Sequence, residues 1–261
     1  MFDEEKSIIF GVFIAAITLF ILAVLVVLLF YNYFQVRMRK EKEILKAVFD
    51  AQESERNRIS EDLHDDIGGK LSALKLHNEL ILSENLSPPA FDLVQKSAGQ
   101  INVIVNDIRK IVRDQSSQYL LRNGLGEELH VLFSKYHYLT RIQADIAIEE
   151  LPKNLSEGFQ VSIFRIIQEL LHNTIKHSGA TLVSLRISAG PDFLEVFFSD
   201  NGNGFSNDAA SPHGMGQNNI RTRIKLFNGD LKVSSSPKIE TSFTMQFPSK
   251  EIMLAPVTGK P

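Results

Sequence analysis

The sequence predicts three parts in order: a single N-terminal transmembrane helix, an all-α helical hairpin, and an α+β two-layer sandwich. Residues 7–36 carry no charged side chain, two stretches of helical period flank a pair of prolines, and helix and strand patterns mix after residue 120. We expect these boundaries: a short extracytoplasmic end at 1–6, the transmembrane helix at 7–36, a helical linker at 37–54, the hairpin at 55–117, the sandwich at 120–249 and a loose tail at 250–261.

The first part is long enough to cross a membrane once, because a spanning helix needs roughly 20 apolar residues. Its N-terminal flank, 3–6, is acidic rather than basic, which favours an uncleaved anchor over a signal peptide. Four basic residues follow the span and place the bulk of the chain in the cytoplasm: Arg37, Arg39, Lys40 and Lys42. We therefore expect a single-pass protein of the inner (cytoplasmic) membrane with no room outside for a sensor domain.

Composition excludes several classes of function. The chain has no cysteine, so it has no disulfide, cysteine nucleophile or thiolate metal site. Its net charge of −3 offers no basic footprint for direct binding to nucleic acid.

The second part predicts a helical hairpin. Apolar residues recur at helical spacing from Ile59 to Ile81 and again from Phe91 to Ile111, and Pro88 and Pro89 interrupt the pattern. One hairpin cannot bury both apolar stripes, whereas two can do so as a dimeric four-helix bundle. We therefore expect a homodimer, with a hinge at residues 116–118 that leads out of the bundle.

The third part contains a long predicted helix, 155–176, which carries three polar residues of interest, and a fourth, His177, follows it directly. Glu169 and Asn173 are four residues apart and share a face. Asn173 offers a neutral oxygen suited to Mg²⁺, and Lys176 and His177 are placed to meet phosphate charge. Taken alone, the pattern is more typical of the solvated face of an amphipathic helix.

A glycine-rich run after a predicted strand makes a ligand site more specific. Asp200 ends the strand, and Gly202 and Gly204 allow the backbone to approach a ligand closely. A buried carboxylate at that point can accept the exocyclic amino hydrogen of adenine. Residues 206–212 are small and polar, as in a mobile lid, and Gly214 and Gly216 open the next helix, where phosphate oxygens bind well.

The hairpin carries a histidine among acids at 61–66. Neutral imidazole is nucleophilic near neutral pH, and a nearby carboxylate can fix its tautomer and take its proton. Helical spacing makes Glu61 the candidate partner of His64, because residues adjacent in sequence diverge around a helix.

Residues 55–68 resemble the dimerisation and phosphotransfer motif of two-component sensor histidine kinases. The His-Asp pair followed by Gly68 is similar to the subfamily that pairs with helix-turn-helix response regulators. Residues 168–177, 200–205 and 214–216 look like the N, G1 and G2 boxes of the Bergerat-type ATP-binding domain in the same kinases. The resemblance covers roughly residues 46–248.

The resemblance implies a membrane-anchored, homodimeric kinase that uses ATP and Mg²⁺ and passes a phosphoryl group to an aspartate of a response regulator. It implies His64 as phosphoacceptor, Asp65 as its acid/base partner in preference to Glu61, Asn173 as Mg²⁺ ligand and Glu169 as its helper. The nucleotide would meet further residues: Lys176, His177, Asp200, Gly202, Gly204, Gly214, Gly216 and Thr241.

Two departures from the family pattern keep other functions open. Gly69 stands where many members have a glutamine that positions water to dephosphorylate the regulator. Residues 237–241 keep Thr241 but lack the glycines that usually precede it. The alternatives are a non-catalytic membrane adaptor that dimerises and scaffolds a partner, or an enzyme that mainly dephosphorylates its regulator, which Gly69 disfavours.

Overall fold

The computed structural model describes residues 2–204, 215–236 and 240–254. The chain divides into two units, residues 1–50 and residues 51–261. In the first unit every described residue is helical and belongs to helix α1, Phe2–Asp62. Within the described residues one helical stretch, in Ala16–Leu82, is apolar and long enough to cross a membrane, and none of its spanning part is buried inside the chain. The predicted N-terminal apolar helix is confirmed.

The hairpin consists of the end of α1, a π-helical segment (Leu63–Ile67), helix α2 (Gly68–Leu82) and helix α3 (Pro88–Gln115). Pro88 and Pro89 occupy the first positions of α3, where the missing amide hydrogen costs nothing because no helical acceptor exists there. Apolar side chains remain exposed along both arms: Ile59, Ile67, Leu74, Ile81, Phe91, Ile104 and Ile111.

Within the predicted hinge, 116–118, Ser117 and Gln118 are hydrogen-bonded to α1 in the structure. Ser116 and Ser117 are buried. The Ser117 amide donates to Asn57 Oδ1 at 3.0 Å, and Asn57 Nδ2 donates to Ser117 Oγ at 3.0 Å. A short helix that the sequence pattern did not predict, α4 (Gln118–Asn123), follows directly. The amide that bonds to Ser117 comes from α1, 60 residues earlier, so no local pattern could indicate it.

The third part is an α+β layer, as predicted. Within its described residues the strands are β1 (Gln143–Ile148), β2 (Leu182–Ala189), β3 (Phe193–Asp200), β4 (Asp230–Ser236) and β5 (Glu240–Pro248). They lie in the order β1-β2-β3-β5-β4, in which only the β1–β2 pair is parallel. The helices are α5 (Leu125–Thr140), α6 (Glu157–Asn173), a π-helical segment (Thr174–Ser178) and α7 (Met215–Leu226).

The core forms between one face of the sheet and helices α5, α6 and α7. Alternate residues of β3 are buried, as the period of two in a strand requires. From α6, Phe159 is fully buried and packs edge-to-face on Phe227 and Phe247, with ring centroids 5.3 Å and 5.0 Å away. This packing fixes α6 on the sheet and so fixes the polar residues at its C-terminal end.

The loose tail predicted from residue 250 is wrong for residues 250–254. Residues Ser249–Ile252 form helix α8, Ile252 is fully buried, and Met253 bridges to Leu155. The apolar side chain of Ile252 joins the core of the sandwich. The free energy gained by burying it fixes this segment, although the neighbouring residues are polar. Residues 255–261 of the predicted tail lie outside the described part.

Candidate functional site

A cleft of about 290 Å³ opens at the C-terminal end of α6, beside the end of β3. It brings together six of the residues singled out in the sequence: Asn173, His177, Asp200, Gly204, Gly216 and Thr241. Its other lining residues were not predicted: Leu170, Thr174, Ser178, Gln217, Ile220 and Phe243. The cleft therefore combines one carboxylate and a few polar groups with apolar walls, as small-molecule sites commonly do.

Asp200 is the acidic group of the cleft. The alternation of β3 places it on the same face as the core residues Val196 and Phe198, so the carboxylate is buried, with 5% of the residue exposed. Thr174 Oγ1 donates to Asp200 Oδ2 at 3.2 Å, and the Gly202 amide donates to Oδ1 at 3.0 Å. Two oxygens offer about four acceptor positions, so the carboxylate keeps capacity for a ligand's N–H donor.

The π-helical segment determines which side chains of the α6 end face the cleft. Asn173, Thr174, His177 and Ser178 all line it, at spacings of one, four and five residues. A π turn is wider than an α turn, which brings the residue five positions on to the same face. Lys176 is exposed and does not line the cleft.

The glycines make close approaches that a side chain would block. A Cβ at Gly204, where φ is +60°, would overlap the Ser236 carbonyl. At Gly202 a Cβ would meet Ser178 and the Asp200 carboxylate. Thr241, opposite Asp200 on β5, bonds to Ser235 at 3.0 Å between hydroxyl oxygens. Gly214 and the predicted lid, 206–212, lie outside the described residues.

Glu169 lies at the border of the cleft. A Cβ at Gly216 would overlap its Oε1, so the carboxylate touches the first turn of α7. Glu169 also lines a neighbouring polar cavity of about 430 Å³ together with Arg56, Arg165 and Arg223. Burial lowers the pKa of Arg56, and burial lowers the pKa of Arg223 to about 10, against the attraction of Glu53 in both cases. Sequence patterns gave no sign of this arginine cluster.

His64 lies in the π-helical segment between α1 and α2. Its Nδ1 is 3.1 Å from Asp65 Oδ1, and both side chains are exposed. An ionised carboxylate only accepts hydrogen bonds, so this contact requires the proton on Nδ1 and leaves the lone pair on Nε2. In that tautomer of the neutral ring, Nε2 points its lone pair away from Asp65.

Glu61 does not contact the imidazole. Its Oε1 accepts a hydrogen bond from Gln118 Nε2 at 2.8 Å. The spacing argument for Glu61 assumed a regular α-helix, whereas the chain widens into a π-helix at Leu63, which changes the direction of each following side chain. A cleft of about 320 Å³ lies beside the imidazole, with Asp65, Gly68, Gly69 and Ser72 in its walls.

The described residues thus combine a cleft with a buried carboxylate, Asp200, and an exposed histidine, His64, that is hydrogen-bonded to Asp65. Residues 158–251 match the family described as histidine kinase-, DNA gyrase B-, and HSP90-like ATPase. Residues 55–119 match a histidine kinase family. The first match contains the cleft residues and the second contains His64.

Curated relatives agree with these matches. Sensor histidine kinase ComP of Bacillus subtilis (strain 168) is 27% identical over 199 residues, covering 73% of this chain and 26% of ComP. The signal transduction histidine-protein kinase/phosphatase DegS of Brevibacillus brevis is 24% identical over 211 residues, covering 77% of this chain and 53% of DegS. Sensor protein VraS of Staphylococcus epidermidis is 28% identical over 204 residues, covering 75% of this chain and 56% of VraS.

Among solved structures, the histidine kinase domain of the blue-light activated histidine kinase of Erythrobacter litoralis EL346 aligns with a TM-score of 0.47 and 15% identity, covering 77% of this chain and 95% of that one. The chain spans between about a quarter and three fifths of the curated relatives named above. Residues 55–119 and 158–251 are thus similar to the two domains that two-component sensor histidine kinases combine.

Proposed function

We propose that this chain is a membrane-anchored, homodimeric histidine kinase. It binds ATP in the Asp200 cleft, transfers the terminal phosphoryl group to His64, and passes that group to an aspartate of a response regulator with a receiver and a helix-turn-helix DNA-binding domain. The observation that supports this most is the buried Asp200 carboxylate, which keeps acceptor capacity at the bottom of a cleft. Adenine has an exocyclic N–H donor for it and guanine has none at that position.

The proposed roles of the other residues follow from their positions. Asn173 lines the cleft, and its amide makes no hydrogen bond to any described residue, so its oxygen fits a hard cation that also binds phosphates. Mg²⁺ held there would neutralise phosphate charge. Glu169 would assist Asn173, and exposed Lys176 and His177 would meet the phosphates. Gly202, Gly204, Gly214, Gly216 and Thr241 would shape the pocket.

The chemical step uses the tautomer set by Asp65. The Nε2 lone pair of His64 attacks the terminal phosphorus, the N–P bond forms, and the P–O bond to ADP breaks with its electron pair on ADP. Asp65 holds the Nδ1 proton and can accept it as positive charge develops on the ring. A receiver carboxylate then attacks the same phosphorus and Nε2 leaves. Positioning and charge neutralisation supply most of the rate in such transfers.

The proposed assembly rests on exposed apolar surface. The residues from Ala16 to Phe34 are unburied and suit lipid. The basic residues from Arg37 onward support an orientation with the rest of the chain on the cytoplasmic side of the inner membrane. The exposed apolar stripe of the hairpin, which includes Leu74 and Ile104, suits a second copy of the hairpin.

Incubating the purified chain in detergent with ATP labelled on its terminal phosphate tests the proposal. The wild type and the control His77→Gln, which removes an exposed histidine of α2, should acquire acid-labile label. His64→Gln should acquire none. Labelling of His64→Gln at the wild-type level would refute the assigned acceptor. A kinase should bind ATP in the presence of Mg²⁺, and Asn173→Ala should lose that binding. The adaptor alternative would be supported if the wild type bound no ATP in the presence of Mg²⁺.

A further inference from the structure

The cleft beside His64 has a second wall that the phosphotransfer motif does not supply. Helix α3 contributes this wall through Val105, Ile108, Arg109 and Val112. Three of these side chains are apolar. Among the described residues, Arg109 is the only cation that lines the cleft.

Arg109 makes no hydrogen bond or ion pair with any residue of the described part of the chain. The neighbouring cations of α3 are engaged: Lys110 Nζ donates to Asp107 Oδ1 at 3.3 Å, and Arg113 Nη2 donates to Glu128 Oε1 at 3.1 Å. The carboxylate in the cleft, Asp65, is bonded to the His64 ring. The guanidinium of Arg109 is therefore available to an anion that enters the cleft.

The floor of the cleft leaves room for that anion. Gly68 and Gly69 present no side chain, and a Cβ at Gly69 would have no atom within 4 Å. The Ser72 hydroxyl donates to the Gly68 carbonyl at 2.8 Å, so its hydrogen is already engaged. Arg109 thus provides the N–H donors of the cleft, and a guanidinium binds the oxygens of a phosphoryl group well.

We propose that Arg109 binds the phosphoryl group while His64 carries it. This assignment rests on the proposed phosphorylation of His64. The phosphoryl group on Nε2 is an anion, and it occupies the open space above Gly69 with its oxygens toward the guanidinium of Arg109. A cation favours the more highly charged form of the phosphoryl group. Arg109 therefore promotes the formation of phospho-His64 and holds the phosphoryl group for transfer to the regulator.

Chemical phosphorylation tests this contact without ATP. Phosphoramidate transfers its phosphoryl group to a histidine nitrogen, with formation of the N–P bond and release of ammonia. The full chain in detergent would be treated this way and titrated by ³¹P NMR, and the signal missing from His64→Gln identifies phospho-His64. The pKa of that phosphoryl group should be lower in the wild type than in Arg109→Gln by about one unit, because an opposite charge nearby favours ionisation.

Two variants separate a direct contact from a structural effect. Arg109→Lys keeps the charge and should give an intermediate phosphoryl pKa, while Lys110→Gln removes an adjacent charge that does not line the cleft and should match the wild type. Equal phosphoryl pKa values in the wild type and Arg109→Gln would overturn the assignment. Failure of the chain to use ATP would overturn the proposed kinase activity instead, and the chemical titration would still decide the role of Arg109.

With ATP as donor, Arg109→Gln should form phospho-His64 about tenfold more slowly, the effect expected for one hydrogen bond between charged groups. Lys110→Gln should label at the wild-type rate. A wild-type rate in Arg109→Gln would contradict the proposal.

Discussion

The Arg165 guanidinium of α6 makes two hydrogen bonds with the Glu53 carboxylate of α1, from Nε to Oε2 at 3.1 Å and from Nη2 to Oε1 at 2.6 Å. The same group donates to the backbone carbonyls of Asp114 and Gln115 at the end of α3, at 2.9 Å and 2.7 Å. Only 6% of the arginine side chain and 15% of the glutamate side chain are exposed. One side chain therefore connects the helix that carries Glu169 and Asn173 to both arms of the hairpin.

The two partners of this ion pair should differ in their contribution to stability. Glu53→Gln should lower the free energy of unfolding by about 1–3 kcal/mol, because Arg165 keeps its other oxygen partners. Arg165→Met should cost about 3–5 kcal/mol, because it leaves a largely buried carboxylate without its cation. Urea unfolding of the detergent-solubilised chain, followed by pulse proteolysis, measures both. Glu55→Gln is the matched control, since Glu55 is exposed and pairs with Arg58 at the surface. The prediction would be contradicted if Glu55→Gln lost as much unfolding free energy as Glu53→Gln.

Two glycines of the cleft should respond differently to a methyl group. In Gly216→Ala the new Cβ meets the far end of the Glu169 side chain, which can rotate away, so the protein should fold and bind adenine nucleotide. Its rate of phosphoryl transfer should fall about tenfold or more, because Glu169 has left its place. In Gly204→Ala the Cβ meets backbone at Ser236 and φ is positive, which should cost about 1–3 kcal/mol of stability. The displacement of Glu169 and the loss of stability are separated by measuring the nucleotide affinity, the transfer rate and the urea unfolding of each variant. Loss of nucleotide binding in Gly216→Ala would contradict the prediction for that variant.

The sequence predicts those parts of the fold and the candidate site that depend on interactions between residues close together along the chain. The alternation of β3 and the glycines after it are local, so they predicted a carboxylate and a nucleotide-type turn at Asp200. The hydrogen bond from Thr174 to Asp200 joins residues 26 apart, and the Arg165–Glu53 pair joins residues 112 apart. No local pattern marks either contact. The same limit explains why Ser117 was predicted to be a hinge, because its partner Asn57 belongs to another helix.

Local geometry also limited the prediction at His64. Apolar spacing cannot distinguish an α-helix from one that widens over five residues, since the positions before and after the wide turn keep a helical period. The identity of the carboxylate at the imidazole depends on that widening. The resemblance to a family favoured Asp65, and the distances in the structure favour it over Glu61.

Tyr136 should make the protein less stable at alkaline pH. Burial, with a further contribution from the charge of Asp114, raises the pKa of Tyr136 above its ordinary value of about 10. The unfolded chain therefore releases this proton first as pH rises, so the stabilisation is fully present below about pH 10 and is lost as pH rises through the higher folded pKa. The unfolding free energy of the wild type minus that of Tyr136→Phe should stay constant up to about pH 9 and should fall as the pH rises above about 10.

Urea titrations across that range measure the difference directly. Tyr138→Phe removes an exposed hydroxyl from the same helix and is the matched control. A difference between the wild type and Tyr136→Phe that stays constant with pH would show that burial of the ring does not affect its ionisation.

Gly69→Gln should raise the activity with which the chain dephosphorylates its regulator. Many kinases that this chain resembles carry a glutamine at this position, where its amide positions water against the phosphorylated regulator. The site can accept the change, because Gly69 is helical and a Cβ there would have no atom within 4 Å. The amide would reach the cleft that holds the imidazole, where water could be oriented toward a docked aspartyl phosphate.

The decay of the phosphorylated regulator in the presence of each variant measures this activity. The decay should be faster with Gly69→Gln than with the wild type or with Gly69→Ala, which adds a side chain without an amide. Equal decay with the glutamine and alanine variants would show that the glycine is not what limits dephosphorylation.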